Sequence, residues 1–397
     1  MLLRDINSKI FTVLIYFILF FPAKYLNEYY VLIILILFVL SFINRGNLNS
    51  SETLRIFIFI FIGVVISASL PVFFLGSDAF RNVPEVLRFI PVILILLNFK
   101  NINLSENDIF KIFSFYILVN FIVSYMQFSN YSVVSVVSNI YSSDLHIEYS
   151  LNGASRALGL SPGPGPNGSI SAILSIFFLI NYFCNEKYKK SSIFFYFISL
   201  SCILLSQSQT AFVASILSTI CIIVFFVLGK LSVSIFKKLS FFIILLISVG
   251  SFILLNYMDK LKYLFTLFEY GTSRSSYVAR EEKTSHVIGL IRENNFFLFF
   301  GHGKDYIEGS SSMDNEYVFL IAVYGLIVSI LIFFLYFHSI VFSWINRSIF
   351  SYLVIFTILC GLIIAWPSSF ITDSKLMLIF IIYLSLCINR AKMKSFI

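Results

Sequence analysis

Charge is what this sequence has least of. Lys, Arg, Asp and Glu make up 12% of its 397 residues, against about 25% in ordinary soluble domains. Hydrophobic residues reach 59%. A water-soluble core that hid so much apolar surface would be larger than a chain of this length can enclose. That excludes a soluble globular domain. Repeated apolar runs, each near the ~20 residues of a spanning helix, place the chain in a bilayer.

Other absences narrow the chemistry. There is no Walker motif, no HExxH, no GxSxG and no Asp-rich pair, which argues against ATP hydrolysis and against serine or zinc hydrolysis. No aspartate-dense loop suggests a divalent metal. The five cysteines (Cys184, Cys202, Cys221, Cys360 and Cys387) lie in or beside apolar runs without metal-ligand spacing, and read as small buried hydrophobes. The N-terminal stretch "MLLRDINSKIFTVLIYFILFFPAKY" resembles a signal peptide but has no small-x-small cleavage site. It reads as an uncleaved first helix. No internal repeat is visible.

What is present is a series of apolar runs. Spans are predicted at about 10–22, 29–43, 56–75, 84–98, 109–128, 168–184, 191–207, 210–229, 239–256, 314–337, 349–366 and 375–389, the first and fourth short. The fold class is thus all-α, a polytopic integral membrane protein of about twelve transmembrane helices forming one domain over 1–397. With the N-terminus inside, the inner loops collect most of the Lys and Arg, among them Arg45, Arg55, Lys100, Lys187, Lys189, Lys190 and Arg390. The short outer loops hold only Lys24, Arg81, Arg88 and Lys375. This bias places both termini in the cytoplasm. It also sends two long polar loops, 129–167 and 257–313, to the outer face. Within the second, "EEKTSHVIGLIRENNFFLF" has the rhythm of a short amphipathic helix on the membrane surface.

Three constellations could carry chemistry. In the first, Arg156 precedes four glycines and three prolines within twelve residues. Proline fixes φ and removes donors, so the segment reads as a stiff loop, with Asn167 as N-cap of a helix from Gly168. A helix N-terminus and a guanidinium on one rim suit an anion. A surface arginine in a tight re-entry turn reads equally well. The second, residues 271–334, offers Arg274, Arg280, Arg292, His286, His302, Asp314 and Glu316. Asp314 reads as a helix cap or a base. Glu316 stands one turn into an apolar helix, where a carboxylate should face a cavity or a partner. The third pairs Glu85 with Arg88 at helical spacing near the outer end of the fourth span, as an internal pair or a ligand site.

The order of motifs resembles the O-antigen polymerase/O-antigen ligase family of bacterial envelope proteins. "RALGLSPGPGPN" places Arg156, Gly159 and Asn167 on the family's first motif. "AREEKTSHVIGLIRENNFFLFFGHG" places Arg280 on the third, with Gly301 and Gly303 a few residues further on than in the family pattern. "DNEYVFLIAVYGL" places Asn315, Tyr317 and Gly325 on the fourth. The resemblance covers roughly residues 150–335. The second motif departs from the family, with Gln209-Thr210-Ala211 and no arginine. In the fourth, Asp314 stands where ligases generally show histidine, which favours polymerase.

The resemblance implies a C-type glycosyltransferase-like enzyme of the bacterial inner membrane. It would join undecaprenyl-diphosphate-linked oligosaccharide units into O-antigen or capsule at the periplasmic face. It implies diphosphate binding by Arg156, Arg280, Arg274 and Arg88. Asp314, Glu316 and His302 would be the candidate bases, supported by Gly159, Asn167, Asn315 and Tyr317. No metal or cofactor is implied. The expected partners are the lipid-linked glycan, membrane lipid, a chain-length regulator and a flippase, and no nucleic acid. The alternatives are a ligase acting on lipid A core and a flippase or transporter of lipid-linked oligosaccharide.

Overall fold

The computed structural model describes residues 2–22, 24–43, 51–98, 104–228, 263–264, 266, 275–307 and 315–394. Among them there is no strand. Helices α1 (Leu2–Phe20), α2 (Leu26–Ile43), α3 (Glu52–Leu75), α4 (Ala79–Asn98) and α5 (Glu106–Phe128) come first. A short helix α6 (Ser135–Tyr141) and a π-turn segment (His146–Asn152) lead to α7 (Pro164–Cys184), α8 (Lys189–Ser206) and α9 (Gln209–Leu228). Later come α10 (Ser275–Glu293), α11 (Asn295–Phe300), α12 (Gly303–Tyr306) and α13 (Glu316–Phe319). A π-turn (Leu320–Tyr324), α14 (Gly325–Asn346), α15 (Ile349–Ala365) and α16 (Ser374–Lys394) complete the chain.

Among the described residues, eight helical segments are long and apolar enough to cross a membrane, by length and composition. The predicted spans fall on helices, except 239–256, which lies outside the described residues along with Arg274 and Asp314. Neither the first nor the fourth helix is among these eight, so their apolar stretches are short as expected, but the helices themselves are longer. They run 19 and 20 residues, because their polar opening turns (Arg4 and Asp5; Arg81, Asn82 and Glu85) continue the helix where hydropathy drops. Cys184 and Cys221 are exposed, whereas Cys202, Cys360 and Cys387 are buried as expected.

The chain divides into two compact units, Met1–Tyr116 with Ser275–Ile397, and Ile117–Arg274. Each has one enclosed helix. In the second unit it is α7, 83% buried over its apolar window, packed against α8 and α9. In the first it is α16, also 83% buried, packed against α15 and α4. Outer helices such as α2 and α3 are only 28% buried and turn Phe38, Phe42, Phe59 and Ile62 outward, as helices facing lipid do. In the first unit the polar contacts sort by helix end. Lys375 Nζ donates to the Leu19 carbonyl at 2.7 Å where α16 begins and α1 ends. Arg390 pairs with Glu106 at 2.9 Å where α16 approaches its C-terminus and α5 begins.

The helix α10 covers the segment expected to be amphipathic. Among its described side chains only Val287 and Ile291 are buried, while Glu281, Glu282, Lys283 and His286 are exposed.

Candidate functional site

In the second unit the glycine–proline loop is held by amide side chains. Asn120, Ser124 and Gln127 lie on one face of α5 at helical spacing, all buried. Gln127 Oε1 accepts from the Leu158 and Gly159 amides (2.9 and 2.7 Å). Asn120 Oδ1 accepts from the Leu160 amide at 2.9 Å. Asn120 Nδ2 donates to Asn167 Oδ1 (2.8 Å), and Asn167 Nδ2 donates to Ser124 Oγ and the Ala157 carbonyl (3.2 and 3.1 Å). Buried backbone polar groups need such partners, and here the side chains supply what secondary structure cannot. Gly159 sits at φ +58°, and a Cβ there would strike Asn120 and Asn167. Only glycine fits this turn.

Asn167 is therefore not the N-cap of α7. The helix begins at Pro164, capped by Gly163, with no side-chain cap bond. Proline is tolerated in the first turn because its missing N–H has no intrahelical partner there. The same prolines remove donors from the helix mouth. Of Pro164, Gly165 and Pro166, only Gly165 has an amide N–H, and the space where its Cβ would stand is open.

Arg156 lies beside this loop, half-buried. Its Nε donates to the Ser206 carbonyl at the C-terminus of α8 (3.3 Å), and its guanidinium stacks 4.0 Å above the Tyr263 ring. Both contacts favour a cation. The "SQSQTA" turn completes the mount. Gln207 Nε2 donates to the Ala154 and Ser155 carbonyls (3.3 and 3.2 Å). Gln209 Nε2 donates to the Tyr263 carbonyl (2.9 Å) and Thr266 Oγ1 (3.2 Å). Thus the motif that lacks an arginine braces the arginine of its neighbour. His146 packs over Gly163, where a Cβ would come within 3.2 Å of its Nε2. Desolvation there, then the Arg156 charge, hold its pKa below the usual imidazole value.

In the first unit the site is built from charges. Glu85 on α4 pairs with Arg88 (2.7 Å) and accepts from Lys304 Nζ (2.8 Å) and the Tyr324 hydroxyl. Arg88 also donates to the Tyr324 and Tyr30 hydroxyls (3.2 and 3.4 Å). All but Lys304 are buried. Asn82 Oδ1 accepts from the Lys304 and Asp305 amides (2.8 and 3.2 Å), and Arg81 pairs with Asp305 at 3.2 Å. Charges in an apolar surrounding survive only when satisfied in this way. Arg88 is thus engaged by a carboxylate and two phenols within the fold.

This cluster stands beside a broken helix. The span predicted at 314–337 as one helix is interrupted by the π-turn and by Gly325 at φ +81°. The break arises because the Gly301 turn (φ +86°) crosses it backbone against backbone. A Cβ at Gly301 would strike Val323 and Tyr324, and one at Gly325 would strike Phe299 and Gly301. Carbonyls at the break find new donors, as membrane burial demands. The His302 amide donates to Ala322 O (2.8 Å) and Ser67 Oγ to Tyr324 O (2.7 Å). The third and fourth motifs are therefore joined through their glycines.

His302 is buried, its ring stacked on Tyr306 and tilted against Phe297. Glu316 is buried and accepts from the Thr372 amide and hydroxyl (both 2.6 Å) and the Phe370 amide (2.9 Å). It thereby ties α13 to the loop before α16. Asn315 caps α13, accepting from Tyr317 and Val318 amides, and the Tyr317 hydroxyl donates to the Leu362 carbonyl at 2.6 Å. Arg280 is half-buried on α10, and His286 is exposed on the same helix. Among the described residues no group of three His, Cys, Asp or Glu could hold a metal ion.

Within each unit the structure collects predicted residues: Arg156, Gly159 and Asn167 in one, and Glu85, Arg88 and the glycines of the third and fourth motifs in the other. Lys304, Tyr324, Tyr30, Tyr263, Gln207 and His146 were not singled out by sequence. Asn120, Ser124 and Gln127 were not either, although their positions i, i+4 and i+7 within an apolar span carried a signal. No protein-family model matches the chain, and no curated protein matches it, so the family resemblance rests on these motifs and their arrangement.

Proposed function

We propose that the protein is a membrane glycosyltransferase that joins undecaprenyl-diphosphate-linked oligosaccharide units into a surface polysaccharide. The observation that carries this reading is the mount of Arg156. A guanidinium is positioned by a carbonyl and an aromatic ring, on a loop whose backbone is fixed by buried amides. A leaving diphosphate gains negative charge as its bond to the anomeric carbon breaks, and a preorganised fork stabilises that charge best. Arg280 is the second cation that the motif resemblance implies. The acceptor sugar hydroxyl attacks the anomeric carbon and gives its proton to a base. Glu316 already accepts three hydrogen bonds within the fold, so we assign the base to Asp314. The reaction belongs to the outer face of the inner membrane in this reading, with both termini cytoplasmic.

The test is the glycan ladder of a deletion strain complemented with variants. Loss of long chains, with one unit still attached to lipid A core, fits polymerase. Complete loss of attached units fits the ligase or flippase alternatives. Arg156→Ala and Arg280→Ala should each abolish long chains at normal protein levels. Lysine should rescue poorly, because it offers a point charge in place of a fork. Normal ladders from either alanine variant would sink the diphosphate role.

A further inference from the structure

The segment between α5 and the glycine–proline loop has an inverted surface. Helix α6, extended at its start by a single 3-10 turn (Ser132–Val134), buries Ser138 and Val134. Ser138 receives a hydrogen bond from Gln127 (3.0 Å). Val133, Val136 and Ile140 share the opposite edge and are exposed, the first two at 76% and 63%. A third edge carries Ser132, Ser135 and Asn139, also exposed. A helix on an aqueous surface would bury the valines and turn the serine outward. Tyr131, just before the helix, is exposed as well.

Two features identify what covers this edge. First, it follows closely in the chain a stripe facing outward on α5, where Leu118, Ile122 and Tyr125 are exposed at helical spacing within a span long enough to cross a membrane. The chain reaches Tyr131 only six residues after Tyr125. Second, residues 112–143 contain no charged side chain at all. A protein partner docked beside a water-exposed loop meets a polar, charged rim. A bilayer boundary instead favours aliphatic side chains, tyrosines at the rim and neutral hydroxyls beside them.

We propose that Tyr131–Tyr141 lies in the plane of the membrane surface, with the exposed Asp144 and Glu148 that follow it in water. The Val133, Val136 and Ile140 edge enters the boundary between headgroups and acyl chains, and the Ser132, Ser135 and Asn139 edge faces water. This goes beyond the glycan chemistry and does not depend on it. It gives the loop carrying Arg156 a fixed depth, because the in-plane element and α5 both anchor to the same lipid leaflet.

The test uses the full chain in nanodiscs of phosphatidylethanolamine and phosphatidylglycerol. The native tryptophans, Trp344 and Trp366, are replaced by phenylalanine and a single reporter is introduced as Val136→Trp. Lipids brominated near the top of the acyl chain should reduce its emission by about two-fold, as expected for burial of roughly 5–10 Å into the interface. Aqueous iodide should leave it nearly unchanged. Ser135→Trp should show the reverse pattern. If Val136→Trp does not accumulate, Val133→Trp on the same edge replaces it with the same expectation. Quenching of the valine-edge reporter by iodide and not by brominated lipid overturns the proposal. So does protection from both quenchers, which would mean that protein, such as a second copy, covers the edge.

Discussion

The two units solve the same problem with opposite chemistry. In the second, an irregular loop is held by neutral amides: Asn120, Gln127 and Asn167 each bond to more than one partner. In the first, an irregular turn is held by ions: Glu85, Arg88 and Lys304, with two tyrosines. A carboxamide donates and accepts without carrying net charge, so each lost contact costs one unsatisfied polar group. A buried ion depends on its counter-ion, so loss of one partner strands the other. Amides therefore fix a loop without adding charge to it, whereas the ionic cluster holds only while its partners are all present.

The largest effect should come from breaking the ionic side. Glu85→Ala leaves the Arg88 guanidinium buried without its carboxylate and should cost about 3–5 kcal/mol. The readout is thermal unfolding in detergent. The double variant Glu85→Ala/Arg88→Met should recover much of that loss, because no charge remains to be compensated. Failure to recover would mean that the pair stabilises the fold beyond mutual compensation, through its bonds to Tyr30, Tyr324 and Lys304.

A smaller loss is expected on the amide side. Gln127→Ala removes the acceptor from two buried backbone amides, Leu158 and Gly159, and should cost about 2 kcal/mol, about 1 for each amide, because the space it leaves admits a water. Gln127→Glu keeps the acceptor, but it also buries a charge. It should be no better than alanine if neutrality is what the position requires. Parallel thermal unfolding of the two variants decides this.

The smallest effect is titration. Desolvation and the Arg156 charge lower the pKa of His146 in the folded chain. The unfolded chain therefore takes up the proton first, near the ordinary pKa of about 6.5. Stability is retained above that pH and lost as pH falls through it toward the lowered folded value. His146→Gln should flatten the profile of unfolding temperature between about pH 7.5 and about pH 5. An unchanged profile would separate His146 from Arg156.

The helical membrane class was legible because apolar runs of spanning length admit few other structures. The opening turns of α4 were not, since Arg81, Asn82 and Glu85 depress hydropathy while their bonds to Asp305 and Lys304 satisfy them. The glycine–proline loop announced itself through composition, yet Asn167 was misread. A helix start is set by backbone geometry, and Pro164 supplies it four residues before Gly168. The π-turn was invisible in "EYVFLIAVYGLIVSILIFF", because apolar residues say nothing about where a second strand of chain will cross. The further partners of the Glu85–Arg88 pair could not be read either, since Lys304, which bonds Glu85, and Tyr324, which bonds both, lie more than two hundred residues away.

The crossing of Gly301 and Gly325 has a consequence for how such a chain can vary. Each glycine is confined by the other's backbone. Backbone, unlike a side chain, cannot be trimmed by a compensating mutation nearby. A methyl group on either residue has no neighbour whose shrinkage would admit it. The two positions are inherited as a single requirement, and a lineage can leave it only by rebuilding both segments together.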